Sequence, residues 1–174
     1  MRFGSHFEEP GQRVAHAGTV FILPPTILGY SRDMPNDIGT IGFVGLGVMG
    51  EPMCGHLARR FGKPVLAHDL STAPLERLAA FGGRAAKPKE IAETCDIVLF
   101  SLPDGKAMQS VVAELEPHLR PGRCIVDTST SSVAATREIG ARLEAKGIMF
   151  ADAPVARTRE AAAKGELSIM VGAS

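Results

Sequence analysis

Residues 40–50 read TIGFVGLGVMG. Ile41-Gly42-Phe43-Val44 is a short apolar run of the kind buried on both faces of a parallel sheet. It leads into Gly45-Leu46-Gly47-Val48-Met49-Gly50, a G-x-G-x-x-G pattern, and then into an apolar helical stretch from Val48 to about Arg60. In a chain with 19 glycines the spacing alone is a weak signal. Its place between a buried strand and a helix gives it meaning. Gly45 permits a tight turn. Gly47 has no side chain, so a pyrophosphate can approach the backbone, and Gly50 lets helix and strand pack closely. The helix start adds unpaired N–H groups and about half a unit of positive charge, so an anion is held there without a lysine.

The next apolar run, Val65–Ala67, ends in His68-Asp69, which puts a carboxylate nineteen positions after Gly50. A carboxylate there accepts hydrogen bonds from the ribose hydroxyls of an adenosine and repels a 2′-phosphate. Leu70-Ser71-Thr72 bring no Arg to hold such a phosphate. NAD is therefore the expected cofactor, with NADP as the alternative. Asp69 also reads as an N-cap for a helix beginning near Thr72 or Ala73.

The same alternation continues. Ile97–Phe100, Cys124–Val126 and Ile148–Phe150 read as buried strands. Between them, Met108, Val111, Val112 and Leu115 fall on one helical face, and Val133, Thr136, Gly140 and Leu143 on another. Pro117 and Pro121-Gly122 close the first helix, and Gly147 closes the second. Strand and helix in alternation require crossovers. The fold expected is α/β, a Rossmann-type doubly wound, mainly parallel sheet with helices on both faces.

Composition excludes several classes. Nineteen Lys+Arg balance nineteen Asp+Glu, which argues against a nucleic-acid binder. The three cysteines, Cys54, Cys95 and Cys124, form no C-x-x-C pair. That argues against a disulfide scaffold or a metal site and fits the reducing cytoplasm. No run approaches the roughly 18 apolar residues of a membrane span; Thr19–Tyr30 is short and broken by Pro24-Pro25. Residues 1–38, rich in Gly, Pro, His and Arg, lack either period. They read as a loosely ordered extension, or as sequence ahead of a natural start at Met34, or as an arm packed on a partner. The folded unit is expected over residues 39–174.

Four segments in order resemble the β-hydroxyacid dehydrogenase family, whose members include 3-hydroxyisobutyrate dehydrogenase and tartronate semialdehyde reductase. They are IGFVGLGVMGEPM, VLFSLPD, VDTSTSS and FADAPVARTREAAAKGELSIMVG, and the resemblance covers about Thr40 to Gly172. It implies a cofactor domain of the 6-phosphogluconate dehydrogenase type. Gly45, Leu46, Gly47, Val48, Met49 and Gly50 would hold the pyrophosphate and Asp69 the ribose. Leu102, Pro103 and Thr130 would meet the nicotinamide half, and Ser129 the substrate. From the residues alone, Ser129 and Thr130 also read as caps for the helix from Val133, and Asp127 as a turn residue.

Two departures bear on function. The family's Ser-Gly-Gly after D-A-P-V stands here as Ala156-Arg157-Thr158. Arg157 and Thr158 are therefore expected at the substrate, Arg157 gripping an acidic group in two-pronged fashion, unless its side chain points into solvent. In the family a following helix carries a K-x-x-x-N lysine. The sequence ends at Ser174 without such a segment, and none of its other lysines sits in one. The family's reaction is hydride transfer between a nicotinamide cofactor and a small β-hydroxy acid or its semialdehyde. The expectation is the cofactor domain of such an enzyme, turning over slowly or not at all by itself, with a homo-oligomer or a C-terminal partner. The other readings are a non-catalytic dinucleotide-binding module and an inactive fragment.

Overall fold

A computed structural model of the chain describes residues 13–15 and 38–173. The reading of residues 1–38 as an extension lies almost wholly outside the described residues. In chain order the first half runs β1 (Arg13–Ala15), β2 (Ile41–Val44), α1 (Gly50–Arg60), β3 (Val65–His68), α2 (Thr72–Ala79), β4 (Gly83–Ala85) and α3 (Pro88–Thr94). The second half runs β5 (Ile97–Phe100), α4 (Gly105–Leu115), a 3-10 turn at Glu116–His118, β6 (Cys124–Asp127), α5 (Val133–Glu144), β7 (Met149–Asp152), β8 (Val155–Ala156), α6 (Arg159–Lys164) and β9 (Ser168–Ala173).

One sheet contains them in the order β1-β9-β7-β6-β5-β2-β3-β4, with β8 also paired to β9. From β7 to β4 every pairing is parallel. β9 runs antiparallel to β7, β8 and β1. Renumbered by succession, the parallel strands read 6-5-4-1-2-3, the doubly wound order. The winding reverses between β2 and β5, which opens a crevice beyond their carboxyl ends.

Side-chain alternation divides the core into two layers. Phe43, Val65 and Ala67 pack with Leu46, Cys54 and Leu78 on the α1–α2 face. Val44, Leu66, Val98, Phe100 and Ile125 pack with Ile91, Met108, Val112, Ile139 and Leu143 on the face of α3, α4 and α5. Each Val, Leu, Ile, Phe or Met among them contributes about 1.5–3 kcal/mol when fully buried. Gly42 is where α3 seats: a Cβ there would lie 2.5 Å from Ile91 Cγ2. The entry to β2 is fixed by the Asp96 carboxylate, which accepts from Gly39 N at 2.8 Å and Thr40 N at 3.0 Å and pairs with Arg123.

Elements differ from expectation mainly at their ends. α1 starts at Gly50 rather than Val48, because residues 47–49 are spent on the turn. β6 extends to Asp127 and β7 to Asp152, carrying both carboxylates to the sheet's carboxyl edge. β4 carries no apolar run. It is held by pairing with β3 and by Gly83, whose bare Cα lets the Leu78 side chain press against the backbone.

Candidate functional site

The turn after β2 is built by its glycines. Gly45 has φ +93° and donates its N–H to His68 O at 2.9 Å. A Cβ on Gly45 would overlap the Ser101 carbonyl oxygen, and one on Gly50 would overlap the Gly45 carbonyl oxygen. At Gly47 a Cβ would meet nothing within 4 Å. That position opens on free space, a cradle that a side chain would fill. Met49 occupies the N-cap of α1 and makes no side-chain hydrogen bond there. In the first turn Glu51 N is bonded to Gly47 O at 3.0 Å and Pro52 has no N–H, so the Gly50 N–H is the first-turn donor left for a ligand. Leu46 buries its side chain in the α1–α2 layer and offers only backbone, whereas Val48 is exposed.

Asp69 joins this turn to the next strand end. Its Oδ2 accepts from Leu46 N at 2.6 Å and its Oδ1 from Ser71 N at 2.8 Å. Asp69 is not the N-cap of α2; Ser71 is. Each carboxylate oxygen retains a further lone pair for a hydroxyl donor.

A groove of about 750 Å³ is lined by Leu46, Gly47, Val48 and Asp69 together with Glu51, Arg77, Arg159 and Glu160. Glu51, Arg77, Arg159 and Glu160 were not among the residues expected from sequence. The only sequence signal for Glu51 is its place directly after Gly50.

A second cluster stands at the ends of β5 and β6. Ser129 Oγ accepts from Leu102 N at 2.8 Å, tying the two strand-end loops. Buried Asp127 orients that serine: its Oδ1 accepts from Ser129 N at 3.0 Å, and its Oδ2 from Ser131 Oγ at 3.5 Å. The Ser129 hydroxyl thus accepts one bond and keeps its proton to donate. Ser132, rather than Ser129 or Thr130, caps α5, accepting from Ala135 N at 3.3 Å. Thr130 and Pro103 are exposed, and Leu102 packs partly on the core.

Arg157 and Thr158 are engaged locally. Thr158 Oγ1 caps α6 by accepting from Ala161 N at 3.3 Å. Arg157 is exposed and donates from Nη1 to Glu166 O at 3.3 Å. Its φ of +100° is the only positive value at a non-glycine among the described residues. Such backbone costs an L-residue about 1–3 kcal/mol. Arg157→Gly is expected to stabilise the fold by about 1 kcal/mol after glycine's greater unfolded-state entropy is subtracted. A lower urea midpoint for the variant would contradict this.

Asp127 and Asp152 are register partners on adjacent parallel strands. Burial, with the charge of Asp127 added, holds the Asp152 carboxyl above its usual 3.8. The folded state then binds a proton more tightly than the unfolded chain does. Stability falls as pH rises from about 3.8 through the raised folded value. Asp152→Asn is expected to raise Tm at pH 7, with the gain vanishing near pH 4; an equal gain at both would refute the electrostatic cause.

Other chemistries find little footing. Burial pushes the Cys54 and Cys95 thiols to about 12 and Cys124 to about 11, leaving no thiolate nucleophile. His56 meets Ala163 O at 2.9 Å and His68 meets Ala86 O at 3.2 Å, both backbone contacts. Among the described residues no group of three or more His, Cys, Asp or Glu side chains could hold a metal, and no helix is long and apolar enough to cross a membrane.

The strand order, the glycine turn and the carboxylate beside it define a Rossmann-type dinucleotide-binding domain. The profile described as the NAD binding domain of 6-phosphogluconate dehydrogenase matches residues 40–174. The chain belongs to that family, as the NAD-binding domain of a β-hydroxyacid dehydrogenase type. It is 36% identical over 138 residues to 2-(hydroxymethyl)glutarate dehydrogenase of Eubacterium barkeri, covering 77% of this chain and 46% of that one. It is 32% identical over 136 residues to mitochondrial 3-hydroxyisobutyrate dehydrogenase of Mus musculus, covering 76% and 40%. Among solved structures, Mycobacterium tuberculosis 3-hydroxyisobutyrate dehydrogenase with L-serine superposes with a TM-score of 0.70 at 32% identity, covering 75% of this chain and 45% of that one. The chain thus spans about half the length of the curated relatives it matches.

Proposed function

We propose that this chain binds NAD in preference to NADP, as the cofactor half of a dehydrogenase acting on a small β-hydroxy acid or its semialdehyde. The observation that carries the reading is the Asp69 carboxylate, bonded to Leu46 N at 2.6 Å beside the open face of Gly47. The amides of Gly47, Val48, Met49 and Gly50 take the pyrophosphate, and Asp69 takes the ribose hydroxyls. Leu102, Pro103 and Thr130 flank the nicotinamide end. Ser129 donates its free hydroxyl proton to the substrate. Arg157 reaches a substrate carboxylate only by leaving Glu166 O. When bound, the cofactor supplies a hydride acceptor or donor. No lysine in residues 40–174 stands in a segment like the family's K-x-x-x-N, so these residues carry the cofactor half and the substrate serine rather than that lysine. Exposed Val48, Leu70 and Val133, close to the carboxyl ends of the strands, offer a partner, or a second copy of the chain, apolar surface. Three unpaired cysteines support a cytoplasmic setting. Calorimetric titration of the chain with NAD and NADP tests the reading. Saturable heat is expected from NAD, with weaker binding of NADP. A folded chain that takes up neither would refute it.

A further inference from the structure

We infer that the Glu51–Arg77 ion pair sets the choice between the two dinucleotides by keeping Arg77 from a phosphate on the adenosine 2′ oxygen; this rests on Asp69 taking the adenosine ribose. Glu51 lies in the first turn of α1 and Arg77 in the last turn of α2. Both line the groove that also contains Gly47, Asp69 and Ser71. The pair is two-pronged: Arg77 Nε donates to Glu51 Oε1 at 2.5 Å and Nη2 to Oε2 at 2.8 Å. A guanidinium grips a phosphate with the same parallel N–H groups. While Glu51 occupies that edge, Arg77 cannot offer it to a ligand.

The charges of the groove reinforce this. Hydrogen bonding from Arg77 holds the Glu51 carboxyl below its usual range, so it is fully ionised at neutral pH, and it feels the charge of Asp69. The groove's lining carries three carboxylates, Glu51, Asp69 and Glu160, against two guanidinium groups, Arg77 and Arg159. A 2′-phosphate would enter a space where one cation is already neutralised. The side chains are partly solvated, 58% exposed for Arg77 and 32% for Glu51. Such a pair adds little to stability, so its replacement is expected to leave the fold intact.

The test is calorimetric titration of NAD and NADP into the whole chain and into Glu51→Gln, Arg77→Met and the double variant, each checked for folding by circular dichroism. Glu51→Gln is expected to tighten NADP roughly tenfold, the worth of a freed charge-assisted contact, with NAD changed less than about twofold. The double variant is expected to lose that gain, and Arg77→Met alone to leave NADP as weak as before. NADP unchanged in Glu51→Gln overturns the inference. A gain that survives in the double variant also overturns it, by assigning the effect to Arg159 or to lost repulsion. Should the unmodified chain bind neither nucleotide, the dinucleotide assignment itself falls; NAD bound with no response to Glu51→Gln removes only this inference.

Discussion

Gly45→Ala is expected to abolish dinucleotide binding and to destabilise the fold by on the order of 3 kcal/mol. Two causes add. At φ +93° the backbone is one that L-residues rarely adopt. The new methyl would also overlap the Ser101 carbonyl oxygen, and a backbone atom cannot rotate aside. Ser101 has little freedom to retreat, because its N–H is bonded to Val44 O at 2.9 Å. The following residue is anchored as well, with Leu102 N on Ser129 Oγ at 2.8 Å. Any accommodation therefore pushes β5 away from β2 at the point where the sheet's winding reverses. Gly47→Ala is the contrasting case. It has no positive φ and no neighbour within 4 Å of a Cβ. Its fold is expected to survive while NAD binding weakens, since the methyl occupies the approach to the amides. Urea midpoints and NAD titrations on both variants separate the two roles. Equal stability losses, or Gly45→Ala binding NAD like the unmodified chain, would overturn this account of the turn.

What was legible in the sequence was local and periodic. β2, β3, β5 and β6 are continuous apolar runs because both faces of a central parallel strand are covered, and that leaves an unambiguous trace. The glycine turn was legible because each glycine answers a separate steric demand over six residues. β4 was not, because three residues reading Gly-Arg-Ala earn their strand geometry from β3 and from contact with Leu78. Capping was misplaced by two or three residues: serines and threonines crowd residues 128–132, and only the path of the chain selects Ser132. The pair Glu51–Arg77 was invisible because its members stand on different helices, 26 positions apart. The same holds for the tie between Ser129 and Leu102, separated by 27. The strained φ of Arg157 has no sequence signature beyond an arginine standing where the family has glycine.

Asp69→Ala is expected to lower NAD affinity about a hundredfold and NADP affinity much less, so the preference for NAD narrows or vanishes. The carboxylate is asked to do two things. It clamps two loops by accepting from Leu46 N at 2.6 Å and Ser71 N at 2.8 Å, and it presents remaining lone pairs to a ribose. Removing it leaves the part-buried Leu46 amide without its acceptor, at about 1–3 kcal/mol. It also removes the ribose acceptor and the repulsion toward a 2′-phosphate. The first loss weakens both nucleotides alike by loosening the turn. The second weakens most the one with a free 2′-hydroxyl, since the other keeps only its 3′-hydroxyl as a donor, and the third favours the other. The ratio of the two dissociation constants therefore cancels the clamp and isolates the recognition. Asp69→Asn sharpens the test: one amide oxygen can still accept from a loop N–H, but the charge is gone and the NH2 group opposes the second amide. Its stability is expected between those of the alanine variant and the unmodified chain, with a ratio close to the alanine variant's. If both variants lose stability while the ratio stays at its original value, Asp69 serves as a loop clamp only, and the discrimination must come from elsewhere in the groove.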